Sequence, residues 1–210
     1  MSEPPEGLAR GGDGRLRCWW AGSAPEYVAY HDQEWGRPVD GEVALFERLS
    51  LESFQSGLSW LTILRKREGF RAAFEGFDPE RVATYGPREV ERLLGDAGIV
   101  RHRGKIEATI ANAGVLLKIH AGGETLGSII ASHAPDPADR PSRVDHAALM
   151  ELATTPESTA LSKDLKRRGW RFLGPTTAYA AMQAVGIVND HLEGCFVRPS
   201  LMGRGELPIP

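Results

Sequence analysis

Several features that define common protein classes are scarce or absent in this chain of 210 residues. It contains only two cysteines, and no apolar run approaches the roughly 20 residues that a membrane span needs. Two cysteines exclude a disulfide framework, and since the chain begins without an apolar leader, we expect a cytoplasmic protein with reduced thiols. A net charge of −3 excludes an overall basic field, so a polyanion would have to bind at the local basic clusters of residues 65–67, 101–105 and 163–171.

Each of the two cysteines has a histidine at a spacing that suits a metal site. Cys18 precedes His31 by thirteen residues, and His191 precedes Cys195 by four, which would place the second pair on one face of a helical turn. Two cysteines and two histidines are a donor set that favours tetrahedral zinc. Inert buried thiols, a disulfide and histidines with ordinary polar partners are the alternatives. Spacing alone leaves them open, because only the fold can bring the two halves together.

The hydrophobic pattern predicts a single all-α domain. Residues 1–17 are rich in glycine, proline and charge, so we expect a disordered N-terminal tail there, and we expect a similar C-terminal tail at 198–210. Between them, residues 18–197 are long enough for one core, and we predict no β-hairpin. The predicted helices are 42–54, 59–74, a short one from 78, 87–94, 103–120, 125–133, 155–169 and 175–186, and the one clear interior loop is 134–142.

The pair of helices around residues 157–186 carries a motif of its own. A hydrophobic–Gly–Pro–Thr sequence at 173–176 opens the second helix, which is typical of a helix–hairpin–helix. Gly174 would let the backbone approach a ligand closely, and the unpaired N–H groups of the next helical turn suit a DNA phosphate. The alternative is an ordinary αα-hairpin with a glycine cap. The candidate DNA-binding residues are Lys166, Arg168, Arg171, Gly174 and Thr176.

A carboxylate and a group of aromatic residues predict a pocket. Glu52 follows Leu45 and Leu49 on the apolar face of its helix, where a carboxylate is costly unless it meets a donor or a cation. Four of the nine tryptophan and tyrosine residues lie within one stretch of sixteen positions upstream of Glu52. Such a cluster is either ordinary core or a cage for a flat, cationic, aromatic ligand. Glu52 could also lie at the helix end and extend into solvent or towards an arginine.

These segments resemble bacterial 3-methyladenine DNA glycosylase I over about residues 18–197. The matching stretches are RCxW at 17–20, YxxYHDxEWG at 27–36, LExxQxGLSW at 51–60, DAGIVRHRGKI at 96–106, GPT at 174–176 and VNDH at 188–191. The resemblance implies a helix–hairpin–helix glycosylase fold in which a structural zinc joins the N- and C-terminal segments. The ligands that it implies are Cys18, His31, His191 and Cys195, and the implied substrate-binding residues are Trp20, Tyr27, Tyr30, Glu52 and Trp60.

The function that the resemblance implies is base-excision repair. A monomeric, monofunctional hydrolase would flip 3-methyladenine out of alkylated double-stranded DNA and excise it, releasing the free base and leaving an abasic site. Glu52 is the first candidate for a catalytic or base-recognising carboxylate, and Asp190 is the second, although Asp190 could instead orient the zinc ligand next to it. A module that binds damaged DNA without excision is the alternative. A zinc hydrolase is disfavoured, because four protein ligands leave no position for water.

Overall fold

The computed structural model describes residues 3–141 and 143–201, and these are mostly helical, as the sequence predicts. Two short strands precede ten α-helices along this part of the chain. The elements are β1 (Leu8–Arg10), β2 (Leu16–Cys18), α1 (Pro25–Gln33), α2 (Glu42–Gln55), α3 (Trp60–Ala73), α4 (Pro79–Val82), α5 (Pro87–Gly95), α6 (Arg103–Ala121), α7 (Leu126–Ala131), α8 (His146–Glu151), α9 (Pro156–Arg167) and α10 (Pro175–Ala184). None of the helices in the described ranges has both the length and the apolarity to cross a bilayer.

The helix boundaries follow from local capping chemistry. The Ser59 hydroxyl accepts a hydrogen bond from the Thr62 N–H and begins α3. The Asp78 carboxylate accepts from Glu80 at 2.9 Å before α4. Proline occupies the first helical position of α9 and α10, where its missing N–H costs nothing. These signals explain why the predicted helices agree with the observed ones to within a few residues.

The hydrophobic core is organised around α2. Large side chains from α2, α3 and the turn that follows α3 are fully buried in it, and Phe54 lies 4.6 Å from Phe70 between ring centres. Helix α2 also packs on α7 and α10, and α10 packs on α9. A second, smaller cluster joins Leu8, Cys18, Leu192 and Cys195, so the two ends of the domain meet there.

The N-terminal segment is not a disordered tail over its described length, and the prediction of no β-hairpin was wrong. Strands β1 and β2 pair antiparallel, with Leu8 opposite Cys18 and Arg10 opposite Leu16. The glycine-rich stretch that suggested disorder is the turn between them, where the Gly11 N–H donates to the Arg15 carbonyl at 2.9 Å. Strands of three residues are too short to show an alternating pattern, which is why the sequence did not reveal them.

Part of the expected C-terminal tail is also folded. Residues Arg198–Leu201 form a single 3₁₀ turn whose last residue, Leu201, is buried. Residues 202–210 of that predicted tail lie outside the described residues. The interior loop predicted at 134–142 connects α7 to α8 through a 3₁₀ turn at Pro137–Asp139, and Ser142 lies outside the described residues.

A buried lysine holds the C-terminal end of α2. Lys105 lies in the first turn of α6, and only 7% of the residue is exposed. Its ammonium donates to the carbonyl of Phe54 at 2.9 Å and to that of Ser56 at 2.6 Å. These carbonyls have no partner inside the helix, and a cation is favourable there. The basic cluster at 101–105 is therefore only partly a surface feature, and Lys105 fixes the helix that carries Glu52.

Candidate active site and metal centre

The four predicted metal ligands converge. One donor atom from each of Cys18, His31, His191 and Cys195 lies within 4.8 Å of all the others, and all four residues are buried. The histidine nitrogens are 3.2 Å apart, and the Cys195 Sγ lies 3.4 Å and 3.6 Å from them. The Cys18 Sγ lies 3.9 Å from the His191 Nδ1. Tetrahedral zinc with ordinary bond lengths places its ligand atoms about 3.3–3.8 Å apart. The four separations given above, 3.2–3.9 Å, are close to that range, so the chemistry and placement of these donors suit zinc.

Different parts of the chain supply these donors. Cys18 ends β2, and His31 lies in the last turn of α1. His191 and Cys195 lie in an irregular turn after α10, not on a helix as their spacing suggested. Gly194, with φ of +87°, bends this turn, and the Cys195 N–H donates to the Leu192 carbonyl. The spacing of four residues therefore identified the correct pair of donors, although the helical turn that it suggested is not formed.

Each histidine has an outer partner that orients its ring. The Nδ1 of His31 lies 2.8 Å from the Asp32 carboxylate, and the Nε2 of His191 lies 3.1 Å from the Trp35 carbonyl. Arg17 in turn donates to Asp32 at 2.8 Å. Burial alone would raise the pKa of Asp32, but hydrogen bonds from Arg17 and His31 outweigh it and lower the pKa. Acceptors in these positions leave the remaining ring nitrogens free to bind a metal.

A cavity of about 350 Å³ lies beside this cluster. All five predicted substrate-binding residues line it: Trp20, Tyr27, Tyr30, Glu52 and Trp60. Sequence reasoning did not place Trp19, Leu149, Met150 or Gln183 there. Leu149 and Met150 belong to α8, whose six residues are too few to give a helical period. Trp19 begins a 3₁₀ turn at Trp19–Ser23 that precedes α1. The volume and the mainly apolar walls are typical of a small-molecule site.

The aromatic residues that line the cavity also pack against the Cys/His cluster. The Trp20 ring meets Tyr27 at 5.7 Å and Trp35 at 5.0 Å between centres, both nearly edge-on. Trp35 also lies 4.6 Å from the His191 ring. On the other side, Tyr30 lies 5.3 Å from Trp60. Aromatic rings therefore wall a space that suits a flat ring.

Glu52 is the one carboxylate among the residues lining this cavity. Only 4% of the residue is exposed, and no hydrogen bond from another described residue reaches its carboxylate. Burial raises the pKa of Glu52 to about 7, while the nearby guanidinium of Arg48 opposes the shift. The site thus holds an unpaired hydrogen-bond acceptor whose charge titrates near neutral pH, between aromatic rings.

Asp190 has different surroundings. It is buried and accepts hydrogen bonds from Arg140, from the Tyr179 hydroxyl at 2.7 Å and from the Gln183 amide at 2.7 Å. It is not among the residues lining the cavity, although Gln183 is. These contacts favour a role in positioning Gln183, and the catalytic role of Asp190 stays a prediction.

The candidate DNA-binding residues surround the turn between α9 and α10. Lys166, Arg171, Gly174 and Thr176 are exposed there, together with Phe172. Arg168 is instead bound by the Glu124 carboxylate at 2.6 Å and 3.0 Å. Because Glu124 lies far from Arg168 in the sequence, local charge patterning did not reveal this pairing. Phe172 has a φ of +57°, which is uncommon for a residue with a side chain.

Fold and site together define a helical protein with a cavity that suits a flat ring. The chain is 47% identical to DNA-3-methyladenine glycosylase 1 of Escherichia coli (strain K12) over 184 residues, which cover 87% of this chain and 97% of that protein. It is 43% identical to DNA-3-methyladenine glycosylase of Haemophilus influenzae (strain ATCC 51907 / DSM 11121 / KW20 / Rd) over 183 residues, covering 85% and 96%.

The solved structures agree with these relatives. A crystal structure of a variant of 3-methyladenine DNA glycosylase I, in complex with 3-methyladenine, superimposes with a TM-score of 0.79 at 37% identity, covering 87% of this chain and 97% of that chain. Residues 20–198 match the methyladenine glycosylase family. The chain belongs to that family, which confirms the resemblance found in its sequence.

The buried Glu52 predicts a pH dependence of stability. Burial raises its pKa to about 7 from the 4.5 of a free side chain, so between these pH values the folded chain keeps a proton that the unfolded chain releases. The free energy of unfolding should therefore fall as pH rises from about 4.5 to 7. Between pH 5 and pH 8, we expect wild type to lose about 2–3 kcal/mol relative to Glu52→Gln, measured by urea unfolding. Parallel pH curves for the two proteins would contradict the buried titration.

Proposed function

We propose that this protein is a monofunctional glycosylase that excises 3-methyladenine from alkylated double-stranded DNA, as the names of its relatives suggest. The observation that carries the proposal is Glu52, a buried carboxylate without a partner in a cavity walled by aromatic rings. Such a site is costly in a protein that only needs to fold, because an unpaired carboxylate prefers water. Its cost is offset when a cationic base fills the cavity.

Recognition and reaction follow from the chemistry of the lesion. A 3-methylated adenine in DNA carries a positive charge, so it is attracted to electron-rich ring faces and to the Glu52 carboxylate, which accepts its N–H groups. The glycosidic C–N bond breaks with its electron pair moving to the base, which leaves neutral. Water adds to the electron-deficient sugar carbon and loses a proton, giving an abasic site. Normal adenine lacks both the charge and the labile bond.

The absence of a suitable lysine supports hydrolysis without strand cleavage. Among the described residues lining the cavity there is no lysine to form a Schiff base with the sugar. Lys105 is committed to the carbonyls at the end of α2. The proposed products are therefore free 3-methyladenine and intact DNA with one abasic site.

We assign the α9–α10 pair as a helix–hairpin–helix that binds the sugar–phosphate backbone of DNA. The support is the turn at 169–174, which ends at Gly174 as the N-cap of α10, together with the exposed Lys166 and Arg171, whose side chains form no ion pair with the described residues. Backbone N–H groups at a helix start bind phosphate regardless of base sequence. A repair enzyme needs such contacts, because its lesion occurs in any sequence.

We assign the Cys/His cluster as a structural zinc site. Cys18, His31, His191 and Cys195 would hold the ion through two thiolates and two imidazoles, and the ion would supply a cross-link between the ends of the domain. Four protein ligands close the coordination sphere, so the proposed reaction does not use it. We further propose that the protein is a monomer and acts in the cytoplasm.

The first test is Glu52→Gln, which keeps the size of the side chain and removes its charge. The variant should fold and bind undamaged duplex normally. It should bind free 3-methyladenine and excise it from methylated DNA roughly ten- to a hundredfold less well, since a hydrogen bond to a charged group contributes about 1.5–3 kcal/mol. Released bases are identified by chromatography, and base binding is measured by tryptophan fluorescence.

Asp190→Asn is the matched comparison for this test. If it abolishes excision in a folded protein while Glu52→Gln leaves base binding and rate intact, the catalytic carboxylate is Asp190. If wild type binds the methylated base and never releases it from DNA, the protein is a damage-binding module and not a glycosylase.

The zinc assignment predicts one zinc per chain in protein purified without chelator. Cys195→Ala removes one ligand and should lower the free energy of unfolding by several kcal/mol, because metal binding and folding are coupled. Elemental analysis measures the metal, and thermal unfolding with and without EDTA measures the stability. Wild type should respond to EDTA, whereas the variant should respond much less. Metal-free wild type with full stability would rule the site out.

The anchoring assignment predicts a uniform effect on DNA affinity. Changing Lys166 and Arg171 to Glu should weaken binding to damaged and undamaged duplex alike, and should lower the salt dependence by about two ion equivalents. Binding of free 3-methyladenine should not change. Arg88→Glu with Lys118→Glu is the matched control, because both are exposed cations on other helices. Loss of free-base binding in the first double variant would contradict the placement of the hairpin.

A further inference from the structure

Two opposite charges lie one turn apart on α2, and neither is fully satisfied. Arg48 and Glu52 are four residues apart, which places them on one face of the helix. Glu52 accepts no hydrogen bond from the described residues. Arg48 has only 12% of its side chain exposed, and its buried Nη1 has no hydrogen-bond partner. Buried N–H groups without an acceptor are rare in folded proteins, and none among the described residues reaches this one, so the placement of Arg48 one turn from Glu52 calls for a functional explanation.

The other contacts of Arg48 connect it to the wall of the cavity. Its guanidinium carbon lies 5.3 Å from the centre of the Tyr30 ring. Its Nη2 donates to the Glu34 carboxylate at 3.3 Å. Arg67 holds the same carboxylate more closely, with hydrogen bonds of 2.6 Å and 3.0 Å. Two arginines thus share one glutamate, and the Arg48–Glu34–Arg67 cluster has one positive charge in excess next to the cavity.

We propose that Arg48 is a positioning residue for base recognition, because the excess positive charge of the Arg48–Glu34–Arg67 cluster favours the ionised form of the Glu52 carboxylate inside the cavity. This inference rests on the proposed role of Glu52 in binding the methylated base. An isolated carboxylate in this position would take up a proton and lose half of its accepting capacity. A nearby opposite charge favours the ionised form. Arg48 also supports the Tyr30 ring, against which a base would pack.

Other ionisable groups around Glu52 do not replace Arg48. Burial raises the pKa of Glu52, and Arg48 is the cation that opposes this shift. The Lys105 ammonium is bound to the carbonyls of Phe54 and Ser56. The groups that face Glu52 or its cluster from packed elements are Tyr27 and Tyr30 on α1, Glu34 after α1, Arg67 on α3, Lys105 on α6 and the neutral Gln183 on α10.

The test is a direct titration of the Glu52 carboxyl carbon by NMR on protein labelled with ¹³C-glutamate. Glu52→Gln identifies the signal by its loss. Wild type should titrate near pH 7, and Arg48→Met should raise the midpoint by about one pH unit or more. Arg48→Lys keeps the positive charge, so its Glu52 midpoint should lie close to that of wild type. Arg71→Met is the matched control, because Arg71 pairs with Glu47 and Glu68 outside the cavity and should leave the midpoint unchanged.

Glu34→Gln tests the same cluster in the opposite direction. It leaves both arginines without their shared carboxylate and should lower the Glu52 midpoint, which keeps the proposal testable if Arg48→Met does not fold. The excision defect of Arg48→Met at pH 7 should shrink at higher pH, whereas a purely structural defect would not. Unchanged midpoints in the folded variants would overturn the inference. A shifted midpoint with full activity in Glu52→Gln would instead uphold the coupling and overturn the proposed function.

Discussion

The convergence of Cys18, His31, His191 and Cys195 is the constraint on which the site depends. Three residues that wall the cavity lie close in the chain to Cys18 or His31: Trp20 lies two positions after Cys18, Tyr30 directly precedes His31, and Trp35 follows it by four. Trp35 contacts His191 in two ways: its ring packs against the His191 ring, and its carbonyl oxygen lies next to the His191 Nε2. Moving Cys18 or His31 would therefore move an aromatic wall, so the packing of the four donors and the shape of the cavity depend on each other.

The cavity itself combines an unfavourable feature with a useful one. A buried carboxylate that accepts no hydrogen bond from the described residues destabilises the folded chain, and a buried guanidinium N–H that finds no acceptor among them does the same. Placing them one turn apart reduces the cost of each, while leaving the acceptor of Glu52 available. The pre-formed ring faces and the fixed end of α2, held by Lys105, then spare a ligand most of the cost of ordering the site.

Sequence reasoning was accurate where local chemistry decides and incomplete where tertiary contacts decide. Caps such as Asp78 and prolines at helix starts fixed the predicted boundaries, and long motifs identified the family. The hairpin of residues 8–18 was missed because its strands are short, and α8 was missed because six residues show no period. The pairing of Arg168 with Glu124 and the burial of Arg48 against Tyr30 join residues far apart in the chain, which no local pattern records.

The distance between the two halves of the donor cluster has a consequence for synthesis on the ribosome. Cys18 and His191 are 173 positions apart, yet they end 3.9 Å from each other. A nascent chain can form α2, α3 and much of the core while its last segment is still inside the exit tunnel, but it cannot bring the four donors together until Cys195 has emerged. Domains generally fold as their sequence becomes available. The aromatic residues next to Cys18 and His31 are therefore synthesised early but reach their final contacts late. An incomplete chain has these residues of the site without the contacts that shape them.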